Sequence, residues 1–213
     1  MTMKNLTAKN LTAKKLAAAK LTTLGCLMLL LAGCGLGTVP PAPVLLDLGS
    51  PGIQPTATAV SRTPVALPMV TAVGTLQSKQ VIWRIGSSGQ PSAYATVRWL
   101  SPPAVMVRER LFDRLSLDGP TLTEQIGADM PQIRVSLLAF EQIFSADGSQ
   151  NEGVVTLQAV LVIDTQVVDQ TRLTYRVPAR EPTAESGAQA LRRATDQAAD
   201  AVAKWVNTSL NPS

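Results

Sequence analysis

Cys34 is the residue whose type and position point most directly to chemistry. It follows an apolar run of about 12 residues, Leu21 to Ala32, and the small residues Ala32 and Gly33 come directly before it. Residues 1–20 are rich in lysine and contain no acidic residue. A positive segment, a short apolar run and small residues before a cut are typical of a secretory signal peptide. The apolar run is too short to span a bilayer as a helix.

The stretch from Leu31 to Cys34 is similar to the lipobox of bacterial lipoproteins. This resemblance implies cleavage before Cys34 and a covalent diacylglyceryl and acyl lipid on that cysteine, with no other cofactor. Gly35 stands where aspartate retains some lipoproteins in the inner membrane. The resemblance therefore implies an outer-membrane protein that is anchored by its lipid and faces the periplasm.

Charge and composition exclude several classes of function. The net charge of +4 includes five lysines of the signal segment, so the mature chain carries a net charge of −1. Such a chain has no general basic surface for nucleic acid. The chain contains no histidine, which removes the commonest general base and metal ligand. The acids Asp113, Asp118, Glu124 and Asp129 have no metal-ligand spacing, and we predict neither catalytic nor metal residues.

Two pairs of neighbouring residues, Trp83 with Arg84 and Arg98 with Trp99, are candidates for binding a partner. Tryptophan and arginine are favoured at the energetic centres of protein interfaces. The alternative is that both tryptophans pack in the sheet while both arginines are solvated. The sequence leaves both interpretations open.

The strands that would position these residues follow from alternating apolar and polar side chains. Strands are predicted at 44–48, 65–73, 80–85, 94–100, 133–139, 155–163 and 170–177. Pro68 indicates an edge strand or a bulge, and Asp147-Gly148 indicates a hairpin. The run at 155–163 is apolar on both faces, which predicts a central strand covered by helices. The run at 170–177 is predicted to pair with it and to expose one polar face.

A first helix is predicted at 103–117. Ser101 can cap it, and Pro102 suits the first helical position. An apolar stripe includes Val107 and Leu111, and Arg110 is expected among the exposed polar residues.

A second, alanine-rich helix closes the chain. Ser186 and Gln189 resemble a capping box at its start. Its apolar stripe runs from Leu191 to Trp205, and the chain is expected to fray from Asn207.

The mature chain resembles the ABC-type transport auxiliary lipoproteins, the PqiC-like group. The resemblance rests on Leu45 to Leu48 behind the lipobox, on Leu76 to Arg84, and on Arg98 to Pro103 at the start of the first helix. It implies a single α/β domain with a three-layer architecture, in which helices flank a mixed β-sheet of the anticodon-binding-domain type. With the strand pattern it predicts a signal peptide at 1–33, a lipidated tether with a short strand at 34–63, and the domain at 64–213.

The family resemblance also implies a function without catalysis. Members accompany ABC systems that move lipids between membranes, and this chain has no phosphate-binding loop of its own. The implied partners are an MCE-domain periplasmic protein, its ABC permease and ATPase, and the membrane, with no nucleic acid; homo-oligomers are compatible with it. A periplasmic lipid carrier and a structural envelope lipoprotein are the alternatives.

Overall fold

The computed structural model describes residues 41–50, 62–86 and 89–211. The predicted signal peptide and Cys34 lie outside the described residues. The described chain forms strands β1 (Val44–Leu46), β2 (Val65–Ala66), β3 (Thr71–Ala72), β4 (Gln80–Ile85), β5 (Ser92–Trp99), β6 (Thr121–Leu122), β7 (Gln132–Phe144), β8 (Asn151–Ile163) and β9 (Gln166–Pro178), helices α1 (Pro103–Ser116) and α2 (Ala184–Leu210), and a 3-10 turn at Gly74–Gln77. The predicted mixed α/β fold is confirmed.

The long strand β7 organises the single sheet of the described residues. On one side β7 pairs antiparallel with β8, and β8 pairs antiparallel with β9. On its other side the short strands β2, β3 and β4 follow one another along the same edge, all parallel to β7. Pro68 lies in the break between β2 and β3, as expected for a residue that cannot donate to the ladder.

The remaining strands extend the sheet from β4 and β2. Strand β5 pairs antiparallel with β4, β1 pairs parallel with β5, and β6 pairs parallel with β2. Strand β1 falls within the predicted tether at 34–63, yet it adds to the same sheet as the domain.

The hairpin predicted at Asp147-Gly148 is confirmed, and β8 is a central strand. Gly148 has φ +72°, which favours glycine. The Asp147 carboxylate accepts hydrogen bonds from the Ser145 hydroxyl (2.6 Å) and the Ser149 amide (3.1 Å). These bonds stabilise the ionised form and lower the pKa of Asp147 to about 2. At neutral pH the carboxylate is therefore ionised, and its hydrogen bonds stabilise the turn.

Helix α1 differs from its prediction in two details. It begins at Pro103 with Pro102 at the N-cap, so the predicted cap at Ser101 is wrong by one residue. Arg110 is buried, and its predicted exposure is wrong. Its guanidinium bonds with groups from two other segments, and these partners permit its burial.

Helix α2 is longer at both ends than predicted. It begins at Ala184, where the Thr183 hydroxyl caps the Ser186 amide at 3.2 Å, so the predicted capping box is wrong. The predicted fraying is wrong as well, because the helix continues to Leu210. Asn207 donates to Asp118 (2.8 Å) and Ser209 donates to Asp169 (2.5 Å), which fixes the last turns.

Two glycines allow α2 to approach the sheet closely. A Cβ at Gly153 of β8 would lie 2.5 Å from the Leu191 nitrogen and 2.8 Å from the Ala190 carbonyl carbon. A Cβ at Gly187 of α2 would lie 2.2 Å from Oε1 of Gln142. Both helices and the inner face of the sheet share one apolar core, which includes Leu111, Leu157 and Leu191.

We expect Gly153→Ala to destabilise the domain, because the added methyl group would meet backbone atoms that cannot rotate away. Overpacking of this kind costs roughly 1–3 kcal/mol, which for a domain of this size lowers Tm by roughly 2–12 °C. Gly127→Ala is the matched control, since its Cβ would meet only the mobile end of Asp129. The Tm values of the two variants are compared by thermal unfolding. Equal values would contradict the close approach of α2 to the sheet at Gly153.

Candidate functional site

The segment that follows the predicted lipid anchor joins the body of the protein at β1. Nine residues, 35–43, lie between Cys34 and β1, and the ten residue steps from Cys34 to Val44 reach at most about 36 Å. In β1, Val44 lies beside Val97 and Leu46 lies beside Trp99 of β5. Whatever anchors the chain upstream therefore holds the domain close to its point of attachment.

Two arginines fix the segment directly after β1. From α1, the Arg110 guanidinium donates to the carbonyl oxygens of Leu48 (2.9 Å) and Gly49 (2.8 Å), and it forms an ion pair with Asp196 of α2. From α2, Arg192 donates to the carbonyl of Ser50 (2.5 Å). Burial raises the pKa of Asp196, and the nearby Arg110 charge opposes that rise. The junction between tether and domain is thus bonded to both helices.

Trp99, one of the four predicted partner-binding residues, lies in the core. Its side chain is fully buried, and its ring packs edge-on against Phe140 with centroids 5.4 Å apart. A side chain in this position stabilises the fold and presents no surface to a partner.

Trp83 lies on the same side of the sheet as the helices and is partly buried. It packs against Phe144 (5.9 Å between centroids) and Tyr94 (6.2 Å). The Tyr94 hydroxyl donates to Gln142, whose amide donates in turn to Asn151 at 2.6 Å. This cluster closes the end of the sheet where α2 begins.

An open groove of about 720 Å³ lies at the same end. Phe144, Ser149, Arg176, Arg180 and Pro182 are among the residues that line it. Arg176 is paired there with Glu152. The lining is mixed in polarity and holds no cluster suited to catalysis.

Arg84 and Arg98 lie on the opposite side of the sheet from the two tryptophans. Arg84 forms an ion pair with Glu141 of β7 at 2.7 Å. Arg98 donates to the carbonyls of Tyr94 (2.6 Å) and Val97 (2.7 Å). Consecutive residues of a strand point to opposite faces, so each neighbouring Trp and Arg is separated by the sheet. The four predicted residues are therefore not one site.

Three further arginines, which the sequence did not indicate as part of a site, lie on the same side of the sheet as Arg84 and Arg98. The registers of β7, β8 and β9 place Arg134, Arg172 and Arg176 on the side of the sheet that faces away from the core. We call Arg84, Arg98, Arg134, Arg172 and Arg176, together with Glu141 and Glu152, the arginine face. The alternation in β9 was the available signal, because it predicted one exposed polar face.

The described residues hold no group of three or more side chains arranged to bind a metal ion. Of the acids considered above, Asp118 forms an ion pair with Arg114 at 3.0 Å and accepts a hydrogen bond from Asn207. Within the same part of the chain, neither helix is both long and apolar enough to cross a membrane.

A protein-family model described as "ABC-type transport auxiliary lipoprotein component" matches residues 46–203. This range begins in β1 and ends within α2, so it includes nearly the whole sheet and both helices. No curated protein matches the chain.

Two solved structures are similar in fold. A protein from Xanthomonas campestris, of the family DUF330, superposes with a TM-score of 0.63 at 19% identity, covering 79% of this chain and 94% of its own. An uncharacterized protein superposes with a TM-score of 0.62 at 14% identity, covering 78% of this chain and 99% of its own. Identities this low show a shared fold alone.

Proposed function

The chain belongs to the family of ABC-type transport auxiliary lipoprotein components, and we propose that it serves an MCE-type ABC lipid transport system without catalysing a reaction. In this proposal its lipid anchors it to the outer membrane and its domain docks on the periplasmic MCE protein. The observation that carries the proposal is the family match over residues 46–203, downstream of the lipobox-like stretch that ends at Cys34.

The geometry of the described residues is compatible with a docking subunit. Strand β1, which is separated from Cys34 by residues 35–43, pairs in the sheet, and Arg110 and Arg192 of the helices bond the segment directly after it. A domain joined to a membrane anchor by nine residues, with a reach of at most about 36 Å, encounters a partner at that membrane at a high effective concentration. The anchor thus supplies proximity, and the folded surface supplies specificity.

The anchor is tested by replacing Cys34. We expect Cys34→Ser to move the protein from the membrane fraction to the soluble periplasmic fraction, because no thiol remains to carry a lipid. Cys26→Ser is the matched control, since Cys26 lies in the segment that we expect to be removed. Fractionation followed by intact mass measurement detects the lipid. Wild-type protein that lacks added acyl mass would contradict the proposal.

The association with a transporter is tested by capturing the intact lipoprotein from detergent-solubilised envelopes, with proteins and lipids both identified. We expect recovery of an MCE-domain protein together with the permease and the ATPase. Phospholipid recovered without any transporter subunit would instead support the lipid carrier. Recovery of neither would overturn the proposed docking role.

A further inference from the structure

The arginine face is built in rows that cross the sheet. One row consists of Arg176, Val154 and Glu141, and Glu141 bonds Arg84 beyond it. The rows that follow contain Thr174, Thr156 and Ala139, then Arg172, Gln158 and Ser136, and then Gln170, Val160 and Arg134. Within each row the side chains are direct neighbours on the same side of the sheet. The charged groups therefore occupy fixed positions on a rigid element.

A small apolar floor lies beneath these charged groups. Ile82, Ile143, Val154 and Val162 are buried, yet they are not part of the core that the helices cover. Val154 lies between Arg176 and Glu141 in its row, and the stems of such long side chains can cover apolar neighbours while their charged ends stay in water. The floor limits how these side chains can lie and helps to keep the guanidinium groups at the surface.

The net charge of the arginine face is opposite in sign to the net charge of the mature chain. Among the described residues the face carries five arginines and two glutamates, an excess of three positive charges. Since the mature chain has a net charge of −1, the remainder carries −4. A patch of net positive charge on a chain of negative net charge orients the molecule in the field of a charged partner.

Two arginines of the face, Arg134 and Arg172, are the least engaged. Arg84 and Arg176 have glutamate partners. Arg134 bonds only the Gln132 side chain (2.6 Å), and within the described part of the chain Arg172 has no hydrogen-bond or ion-pair partner. Both are exposed. Free guanidinium groups on a fixed strand suit two-point hydrogen bonding to carboxylates.

We propose that the arginine face docks onto an acidic protein surface, and that this surface belongs to the periplasmic subunit of the transport system. The inference rests on the proposed function and adds the face and the partner's charge to it. Opposite charge is the argument for this occupant, because the face offers ordered cationic donors.

A lipid surface and a second copy of the chain are the other occupants to be compared. A lipid surface is held by apolar side chains that insert into it, whereas Ile82, Ile143, Val154 and Val162 in the floor of this face are buried. A second copy would have to place its own acidic residues against the face, and the crosslinking experiment below distinguishes that arrangement from a different protein. An acidic partner protein is the occupant that the charges favour.

The test compares two charge reversals in the full-length lipoprotein. Arg134→Glu with Arg172→Glu reverses the two least engaged charges of the face, whereas Arg193→Glu with Lys204→Glu makes the same charge change on exposed positions of α2. We expect the first variant to lower recovery of the transporter's periplasmic subunit about tenfold or more, and the control to change it less than about twofold. Recovery by wild type should also fall between 50 and 500 mM salt, because screening shortens the reach of charges.

Photocrosslinking from the face identifies the occupant directly and does not depend on charge variants that fold. A benzophenone amino acid at Thr174, between Arg172 and Arg176, should crosslink to the periplasmic subunit, and one at exposed Gln189 of α2 should not. Crosslinks to a second copy or to phospholipid would overturn the proposal. If wild type captures the transporter and the face reversal captures it equally, the docking face is wrong while the proposed function stands. If wild type captures no transporter subunit, both fail.

Discussion

Replacing Trp99 by alanine is expected to lower the free energy of unfolding by about 3–5 kcal/mol, the usual cost of truncating a buried aromatic residue. Trp99 is fully buried, pairs with Leu46 of β1 and packs edge-on against Phe140 of β7. Its removal leaves a cavity where the edge strands meet the central sheet. Chemical denaturation should show the loss, and Tm should fall by roughly 10 °C.

Trp83→Ala is the matched control for this result. Trp83 is partly exposed and contacts two aromatic rings, and such pairs contribute about 0.5–1.5 kcal/mol each. We expect it to lower stability clearly less than Trp99→Ala does. A Trp99→Ala protein with wild-type stability but weakened partner capture would contradict the role of Trp99 in the core. It would instead indicate that Trp99 binds a partner.

Replacing Arg110 by methionine is expected to release the junction between tether and domain. The variant keeps most of the side-chain volume but leaves the carbonyls of Leu48 and Gly49 without their donor and Asp196 without its cation. The buried Leu48 carbonyl, left unsatisfied, costs roughly 1–3 kcal/mol, whereas the carbonyl of exposed Gly49 can bond water. Hydrogen exchange should therefore speed up at residues 47–50 more than in β8. Uniformly faster exchange throughout the domain would contradict a local role.

The Arg110→Met effect should depend on pH in a definite direction. Burial raises the pKa of Asp196 in the folded state, and Arg110 opposes that rise. Without Arg110 the pKa should rise further, so the ionised carboxylate costs more stability at neutral pH. As pH falls through this raised pKa, protonation removes the uncompensated charge. The difference in stability between wild type and variant should narrow from pH 7 to pH 4.5, and a difference that widens would exclude this explanation.

Much of the fold could be predicted from local pattern. The alternation in β7, β8 and β9, together with Asp147-Gly148, identified the meander because one face of each strand is buried in the core. The same rule of alternation, applied to neighbouring residues, would have separated Trp83 from Arg84 and Arg98 from Trp99. Grouping residues by sequence proximity is unreliable within a strand, where adjacent side chains face opposite ways.

Other features depend on contacts that a local pattern does not encode. Arg110 has the sequence surroundings of a solvated helix residue, and its burial depends on Leu48, Gly49 and Asp196, which are 61 to 86 residues away in the chain. The end of α2 likewise depends on Asp118 and Asp169, which lie outside the helix. Distant partners of this kind override propensity, and they become visible only in the folded chain.

Association with an ABC transporter is tested most directly from the transporter's side. With an affinity tag on the ATPase subunit, complexes are purified from gently solubilised envelopes, and the amount of this lipoprotein per ATPase is measured by quantitative mass spectrometry. Membership of a working complex predicts a fixed stoichiometric ratio, retained at low salt and reduced when Arg134 and Arg172 are both changed to glutamate. A lipoprotein that is absent from the purified transporter, while being present in the same solubilised envelopes, would contradict the auxiliary role.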